Sequence, residues 1–190
     1  MRPRTAVPAA LLTVALMALV AGCGSQEPSA ASADSPSATK SSSPANSSTP
    51  EDSPQVPETL RFTGTTVDGK SFDAATLAGK PVVLWFWAPW CPKCRAQAAE
   101  TAKVAEEFTD KAHVLGVAGL DKNDAMRDFV AETGTESFPH LSDENGEVWK
   151  RFEVTEQSRY VILDQDGKQV YEGVLPAGEG LADKLTELTG

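Results

Sequence analysis

Trp85-Phe86-Trp87-Ala88-Pro89-Trp90-Cys91-Pro92-Lys93-Cys94, read as WFWAPWCPKC, places two thiols three positions apart at the end of an apolar run. The run starts at Pro81, is rich in valine and aromatics, and has no polar residue through Trp87. Such a stretch fits a central strand buried on both faces of a parallel or mixed sheet. From Pro92 to Phe108 the pattern changes: Ala98, Ala102, Ala105 and Phe108 recur among charged residues at helical spacing, and Pro92 suits a first helical turn. Cys91 therefore falls where a strand gives way to a helix.

Working outward, Thr59 onward reads as a hairpin turning at Val67-Asp68-Gly69-Lys70, then a one-turn helix over Asp73 to Ala78 closed by Gly79. Downstream, His113 to Gly119 is a second parallel strand, Ala125 to Glu132 an amphipathic helix, and Phe138 to Leu141 a short extended segment. A helical turn over Glu147 to Phe152 is expected to be anchored against the sheet by Trp149 and Phe152. Tyr160 to Leu163, the turn Asp164-Gln165-Asp166-Gly167, and Lys168 to Val174 form a hairpin, and a helix from Gly178 to Leu188 ends the chain. The fold class is α/β: a central mixed β-sheet flanked by helices, preceded by an N-terminal β-hairpin, in the order found in thioredoxin.

The N-terminal third has a different character. Arg2 and Arg4 precede an almost wholly apolar stretch from Ala6 to Ala21, the layout of an export signal. About 16 apolar residues broken by Pro8 fall short of the roughly 20 a membrane-spanning helix needs. Leu19-Val20-Ala21-Gly22-Cys23 resembles a bacterial lipobox, so residues 1–22 are expected to be removed and Cys23 to carry the lipid anchor. Gly24 to Gln55 is dominated by Ser, Pro and Ala, with no aromatic residue, and cannot bury enough apolar area to offset chain ordering. As a flexible coil its 32 residues reach about 30 Å from the bilayer. Residues 23–55 thus read as an anchored linker and residues 56–190 as one domain.

Net charge is −10 and becomes −12 once Arg2 and Arg4 are lost, because every acidic residue lies beyond the signal. That argues against nucleic acid or anionic lipid as a partner.

With Cys23 assigned to the membrane, Cys91 and Cys94 are left in an oxidising compartment, where they pair or react. Zinc would need four ligands, and His113 and His140, the only histidines, are expected at strand starts, the sheet edge opposite the thiols. A purely structural bridge across so short a loop constrains the unfolded chain by only about 2 kcal/mol. The reactive reading has a mechanism. At a helix N-terminus, unpaired N–H groups and the helix dipole favour a Cys91 thiolate, with Lys93 adding charge, and thiolate is the form that attacks a disulfide. Cys94, one turn along, is placed to resolve the mixed disulfide. No metal or other cofactor is required.

The segment Gly79 to Arg95, GKPVVLWFWAPWCPKCR, resembles the active-site region of thioredoxin-fold proteins of the TlpA/ResA/DsbE type, and within that type the exported DsbE and DsbF proteins of actinobacteria. The likeness continues through Phe138-Pro139-His140-Leu141 and the Asp164–Gly167 turn. It implies disulfide exchange outside the cytoplasm, either oxidising client proteins or reducing apocytochrome c before haem attachment. It also implies a quinone-linked membrane partner of the VKOR, DsbB or DsbD sort, and Trp90, Pro92, Lys93, Gln157 and Ser158 as tuning or docking residues around the cysteines. Trp90 is expected to shield the thiols.

Three positions depart from the family pattern. Ser158 stands where a cis-proline is usual, and a cis bond at serine would cost about 2.5–4 kcal/mol, so a trans peptide is expected. Ala99 replaces the proline that bends the active-site helix, which should run straighter. Gln97 replaces an acidic residue, and Trp85 stands where thioredoxin has its buried acid.

The expected function is oxidation of exported proteins by a monomeric lipoprotein on the outer face of the cell membrane. The rivals are apocytochrome c reduction and a Cu(I)-holding thiol module, soft thiolates suiting that ion and His140 being the available third ligand.

Overall fold

The structure, a computed structural model, describes residues 55–190, so the expected export signal, Cys23 and the expected linker through Pro54 lie outside the described residues. The N-terminal hairpin forms from β1 (Thr63–Thr65) and β2 (Ser71–Asp73), a separate two-stranded sheet. Its turn is held by the Thr66 N–H donating to the Lys70 carbonyl, with Gly69 supplying a φ of +84° that other residues avoid. Asp73 then caps a 3-10 turn over Ala74–Leu77 by accepting from the Ala75 N–H.

Every residue of β3 (Val82–Trp87) is buried, as the apolar run requires. It pairs in parallel with β4 (His113–Ala118) on one side, and β4 pairs in parallel with the short β5 (His140–Ser142). On the other side it pairs antiparallel with β6 (Arg159–Leu163), which turns into β7 (Gln169–Gly173). The five-stranded order is β5-β4-β3-β6-β7, a mixed sheet. The hairpin docks on the β5 edge through a Thr66–Leu141 bridge and the Val67 N–H on the His140 carbonyl.

Because alternate strand residues point to opposite faces, β3 serves two cores. Val83, Trp85 and Trp87 face α1 (Pro92–Glu107), α2 (Asn123–Thr133) and α4 (Leu181–Thr189), packing with Ala98, Val104, Phe129 and Leu185. Val82, Leu84 and Phe86 face the N-terminal segments and α3 (Glu147–Arg151), packing with Leu60, Leu77, Trp149 and Phe152. Trp149 and Phe152 meet Phe86 at centroid distances of 5.6 and 5.9 Å, the anchoring expected of them. Trp149 fits because Gly119 has no Cβ: one placed there would lie 2.6 Å from its Nε1.

Two expectations need correction. The C-terminal helix begins at Leu181, not Gly178, because Gly178 and Gly180 take φ of +80° and +83°, and a 3-10 turn over Pro176–Gly178 precedes it. The buried face of α1 is Cys94, Gln97, Ala98, Thr101 and Val104, with Ala102 and Ala105 only half-buried at its margin. Two polar residues thus occupy the stripe that apolar periodicity assigned to alanines.

Candidate active site

Cys91 is the N-cap of α1, and its extended backbone (φ −86°, ψ 112°) turns the side chain back over the first helical turn. Its Sγ accepts from the Cys94 N–H at 3.0 Å, a position usually filled by a serine or aspartate oxygen. Pro92 occupies the first helical position, where its missing N–H costs nothing. The two cysteines are joined as a disulfide, with Cα atoms 5.3 Å apart. Both are buried, Cys91 to 3% exposure, in the core shared with Trp85 and Trp87.

Beside them Trp90 is 55% exposed and its indole N–H donates to the Leu120 carbonyl at 3.3 Å. Leu120, in the loop after β4, is 53% exposed and has a φ of +61°, so these two apolar side chains form a surface patch next to the thiols. Lys93 is exposed on the first turn of α1. Arg95, one residue past the pair, lies over the Phe129 ring and bonds Glu132 at 2.9 Å, tying α1 to α2.

The opposite wall comes from the loop before β6. Antiparallel pairing sets Trp85 against Tyr160 and Phe86 against Arg159, so Ser158 reaches the level of Trp87, the end of β3 that leads to the cysteines. Gln157 is half-buried and Ser158 is buried. Ser158 has a φ of +67°, a left-handed conformation the proline ring, fixed near −65°, cannot adopt. The loop therefore differs from a proline-bearing one in backbone as well as in side chain.

Gln97, which the sequence marks only as a lost acid, is the buried junction of this region. Its Oε1 accepts from the Trp85 indole at 3.0 Å, and its Nε2 donates to the carbonyls of Ser158 at 3.0 Å and Leu175 at 2.9 Å. One turn further, Thr101 and Tyr160 share a hydroxyl–hydroxyl bond of 2.7 Å, and burial holds the Tyr160 hydroxyl well above the ordinary phenol range. Gln97 and Thr101 are buried polar residues on the thiol side of a helix, a signal visible once the face of α1 is set by Cys94 rather than by the alanines. α1 runs without interruption across Ala99.

The histidines part company. His113 opens β4 opposite Val82, at the far end of β3. His140 does not sit at that far edge: β5 pairs only with the later half of β4, so His140 lies against Gly116, itself opposite Trp85. Gly116 makes the room, since a Cβ there would lie 2.0 Å from the His140 ring. Its Nδ1 accepts from the Trp87 indole at 3.2 Å and its Nε2 meets the Thr135 carbonyl at 2.9 Å. Burial lowers its pKa from 6.5 to about 4, so the ring is neutral. Both nitrogens are engaged, and among the described residues no cluster of three His, Cys, Asp or Glu side chains could hold a metal ion.

Residues 55–172 match the AhpC/TSA family. The chain belongs to it. Among curated relatives, the soluble secreted antigen MPT53 of Mycobacterium tuberculosis is 40% identical over 114 residues, which cover 60% of this chain and 65% of that protein. The chain thus spans a little under two thirds of that relative. The thiol-disulfide oxidoreductase ResA of Bacillus thuringiensis is 28% identical over 131 residues, 68% of this chain and 73% of that one. The solved structure of MTB dsbF, in mixed oxidized and reduced forms, is 40% identical, with a TM-score of 0.65 over 70% of this chain and 99% of that one. A secreted Mycobacterium tuberculosis disulfide oxidoreductase homologous to E. coli DsbE is 36% identical, with a TM-score of 0.63 over 69% and 98%. This family member has the thioredoxin-like fold of the TlpA/ResA/DsbE type that its sequence resembles.

Proposed function

We propose that the chain is a thiol-disulfide oxidoreductase on the extracytoplasmic face of the cell membrane, tethered through Cys23 and oxidising exported proteins with the Cys91–Cys94 pair. The observation that carries this is Cys91 as N-cap of α1, its sulfur accepting the Cys94 N–H while bridged to the Cys94 sulfur. In the oxidising direction a client thiolate attacks Cys91 Sγ, the Cys91–Cys94 bond breaks, and Cys94 leaves with the electron pair and takes a proton. A second client thiolate then attacks the client sulfur of the mixed disulfide and releases Cys91 as a thiolate. The client gains a disulfide, and the chain holds two thiols that a quinone-linked membrane partner reoxidises. The Cys91 thiolate is stabilised by the amide and dipole at the start of α1.

The relatives supporting this reading include a disulfide oxidoreductase described as secreted, and MTB dsbF described in oxidized and reduced forms. The ResA relative keeps apocytochrome c reduction as the second reading. The Cu(I) module is disfavoured by His140, whose two nitrogens are already bonded. The test is to titrate the Cys91–Cys94 couple against glutathione and to assay refolding of reduced ribonuclease. Oxidase action requires disulfide transfer from the Cys91–Cys94 bridge to reduced ribonuclease, one client disulfide formed for each enzyme bridge reduced, and loss of that transfer in Cys94→Ser, which has no bridge to give. A potential at or below thioredoxin's, about −270 mV, would exchange the oxidase reading for the reductive one. Absence of exchange in both assays would remove the enzyme reading.

A further inference from the structure

The cysteine pair and the Ser158 wall are carried by different elements, α1 and the loop before β6, and no β-ladder bond joins the two. What joins them is one side chain. Gln97 sits three residues after Cys94 on the buried face of α1 and reaches three places: the Trp85 indole on β3, the Ser158 carbonyl, and the Leu175 carbonyl beyond β7. Its amide is used in a defined sense, with the oxygen accepting once and both N–H groups donating. The Trp85 indole can only donate, which fixes which way round the amide lies. Only an uncharged amide does this. A carboxylate would turn its lone pairs toward two carbonyl oxygens in a site with no water-exposed side, and a hydrocarbon would take the amide partner from the Ser158 carbonyl and leave the Leu175 carbonyl with the Gly178 N–H alone.

The bond to Ser158 is to a residue in the left-handed region, a conformation that opposes itself in any residue with a Cβ. Something must hold the carbonyl where it is, and Gln97 is bonded to it at 3.0 Å. The Leu175 bond does the same for the turn over Pro176–Gly178, which lies so close to α1 that a Cβ on Gly178 would be 2.9 Å from the Glu100 Cβ. Gln97 therefore sets the distance and height of the wall relative to the disulfide.

Resting on the oxidoreductase reading above, we propose that Gln97 is a positioning residue for protein substrates: it fixes the Ser158 segment beside the Cys91–Cys94 pair so that an extended client chain meets the wall and the sulfurs in register. A small dithiol needs the sulfurs alone. A protein needs the wall as well, so loss of the clamp falls selectively on proteins.

The experiment compares kcat/KM for a reduced protein substrate, ribonuclease, with that for dithiothreitol in wild type, Gln97→Met, Gln97→Glu and Thr101→Val. Losing one or two bonds to buried carbonyls lowers the ribonuclease-to-dithiothreitol ratio about tenfold in Gln97→Met, and the loss appears in KM for ribonuclease rather than in kcat. Gln97→Glu, nearly the same shape and still able to accept from Trp85, lowers the ratio in the same sense and serves if the methionine variant does not fold. Thr101→Val loses the buried bonds of its hydroxyl to Tyr160 and to the Gln97 backbone carbonyl while leaving the Gln97 amide and the Ser158 and Leu175 carbonyls in place, and so controls for general loosening of the helix. A wild-type ratio in the folded Gln97 variants, or an equal fall in Thr101→Val, overturns the positioning role. Failure of the wild-type protein to exchange with dithiothreitol overturns instead the oxidoreductase reading on which it rests.

Discussion

On one face of β3, Val82, Leu84 and Phe86 meet Leu60, Leu77, Leu115 and Phe152, hydrocarbon against hydrocarbon, with the Trp149 indole bonded to the Val117 carbonyl. On the other face, Val83, Trp85 and Trp87 meet side chains that are apolar in bulk yet joined by buried polar bonds: Trp85 to Gln97, Trp87 to His140, and Thr101 to Tyr160. The first kind of packing is non-directional and rewards area. The second is directional, because a buried donor or acceptor that loses its partner costs its full desolvation. The cysteines open into the second kind of core. The apolar face holds the sheet together, and the laced face holds particular atoms at particular distances.

The sharpest way to separate the two is to damage the apolar face alone. Phe86→Ala removes a fully buried ring and is expected to lower unfolding free energy by about 3–5 kcal/mol in urea titrations. The molecules that remain folded should exchange disulfides at the wild-type rate per folded chain. A fall in that rate matching the loss of stability would erase the division between the faces.

Acid tests the laced face through His140. Its folded pKa of about 4 lies below the 6.5 of a free imidazole, so the unfolded chain takes up the proton first as pH falls. The stability tied to its neutral ring is present above pH 6.5 and is lost on acidification toward pH 4, a change on the order of 3 kcal/mol. Urea midpoints of wild type and His140→Phe between pH 7 and pH 4 should converge, with the variant weaker at pH 7 and lacking this part of the slope. Parallel curves would mean that the imidazole is not the buried titrating group.

The smallest effect is expected at Thr101→Val. Tyr160 keeps its ring packing and loses a hydroxyl partner, and the Gln97 carbonyl loses the Thr101 hydroxyl, for about 1–2 kcal/mol in all. A loss several times larger would mean that the hydrogen bonds of this face act as one network instead of as separate contacts.

The same contrast governs what the sequence discloses. The central strand, the helix starting at Pro92 and both hairpins follow from short-range signals: a continuous apolar run, a proline at a first turn, Asp-Gly turns. Cys91 at a strand–helix junction follows from the order of those signals. Gln97 is another matter, because a glutamine among Arg95, Ala98 and Glu100 reads as one more polar residue on a charged helix. Its burial is decided by carbonyls 61 and 78 positions away, which no local pattern reports. The position of His140 is hidden for a related reason: β5 is three residues long and its offset along β4 is set by tertiary pairing and by the space over Gly116. The start of α4 lies about a turn beyond Gly178, since Gly178 and Gly180 serve a left-handed approach before the helix begins.

The Cys91 cap has a consequence for how little the protein must rearrange during turnover. With the disulfide closed, the Cys94 amide already points at Cys91 Sγ, the sulfur that becomes anionic when the mixed disulfide with a client is released. Charge arriving there meets a dipole oriented before the electron pair moves, so solvent and backbone need scarcely reorganise around it. A helix that begins on a sulfur atom has its cap in place before the bridge opens, and turnover asks little of the backbone at its first turn.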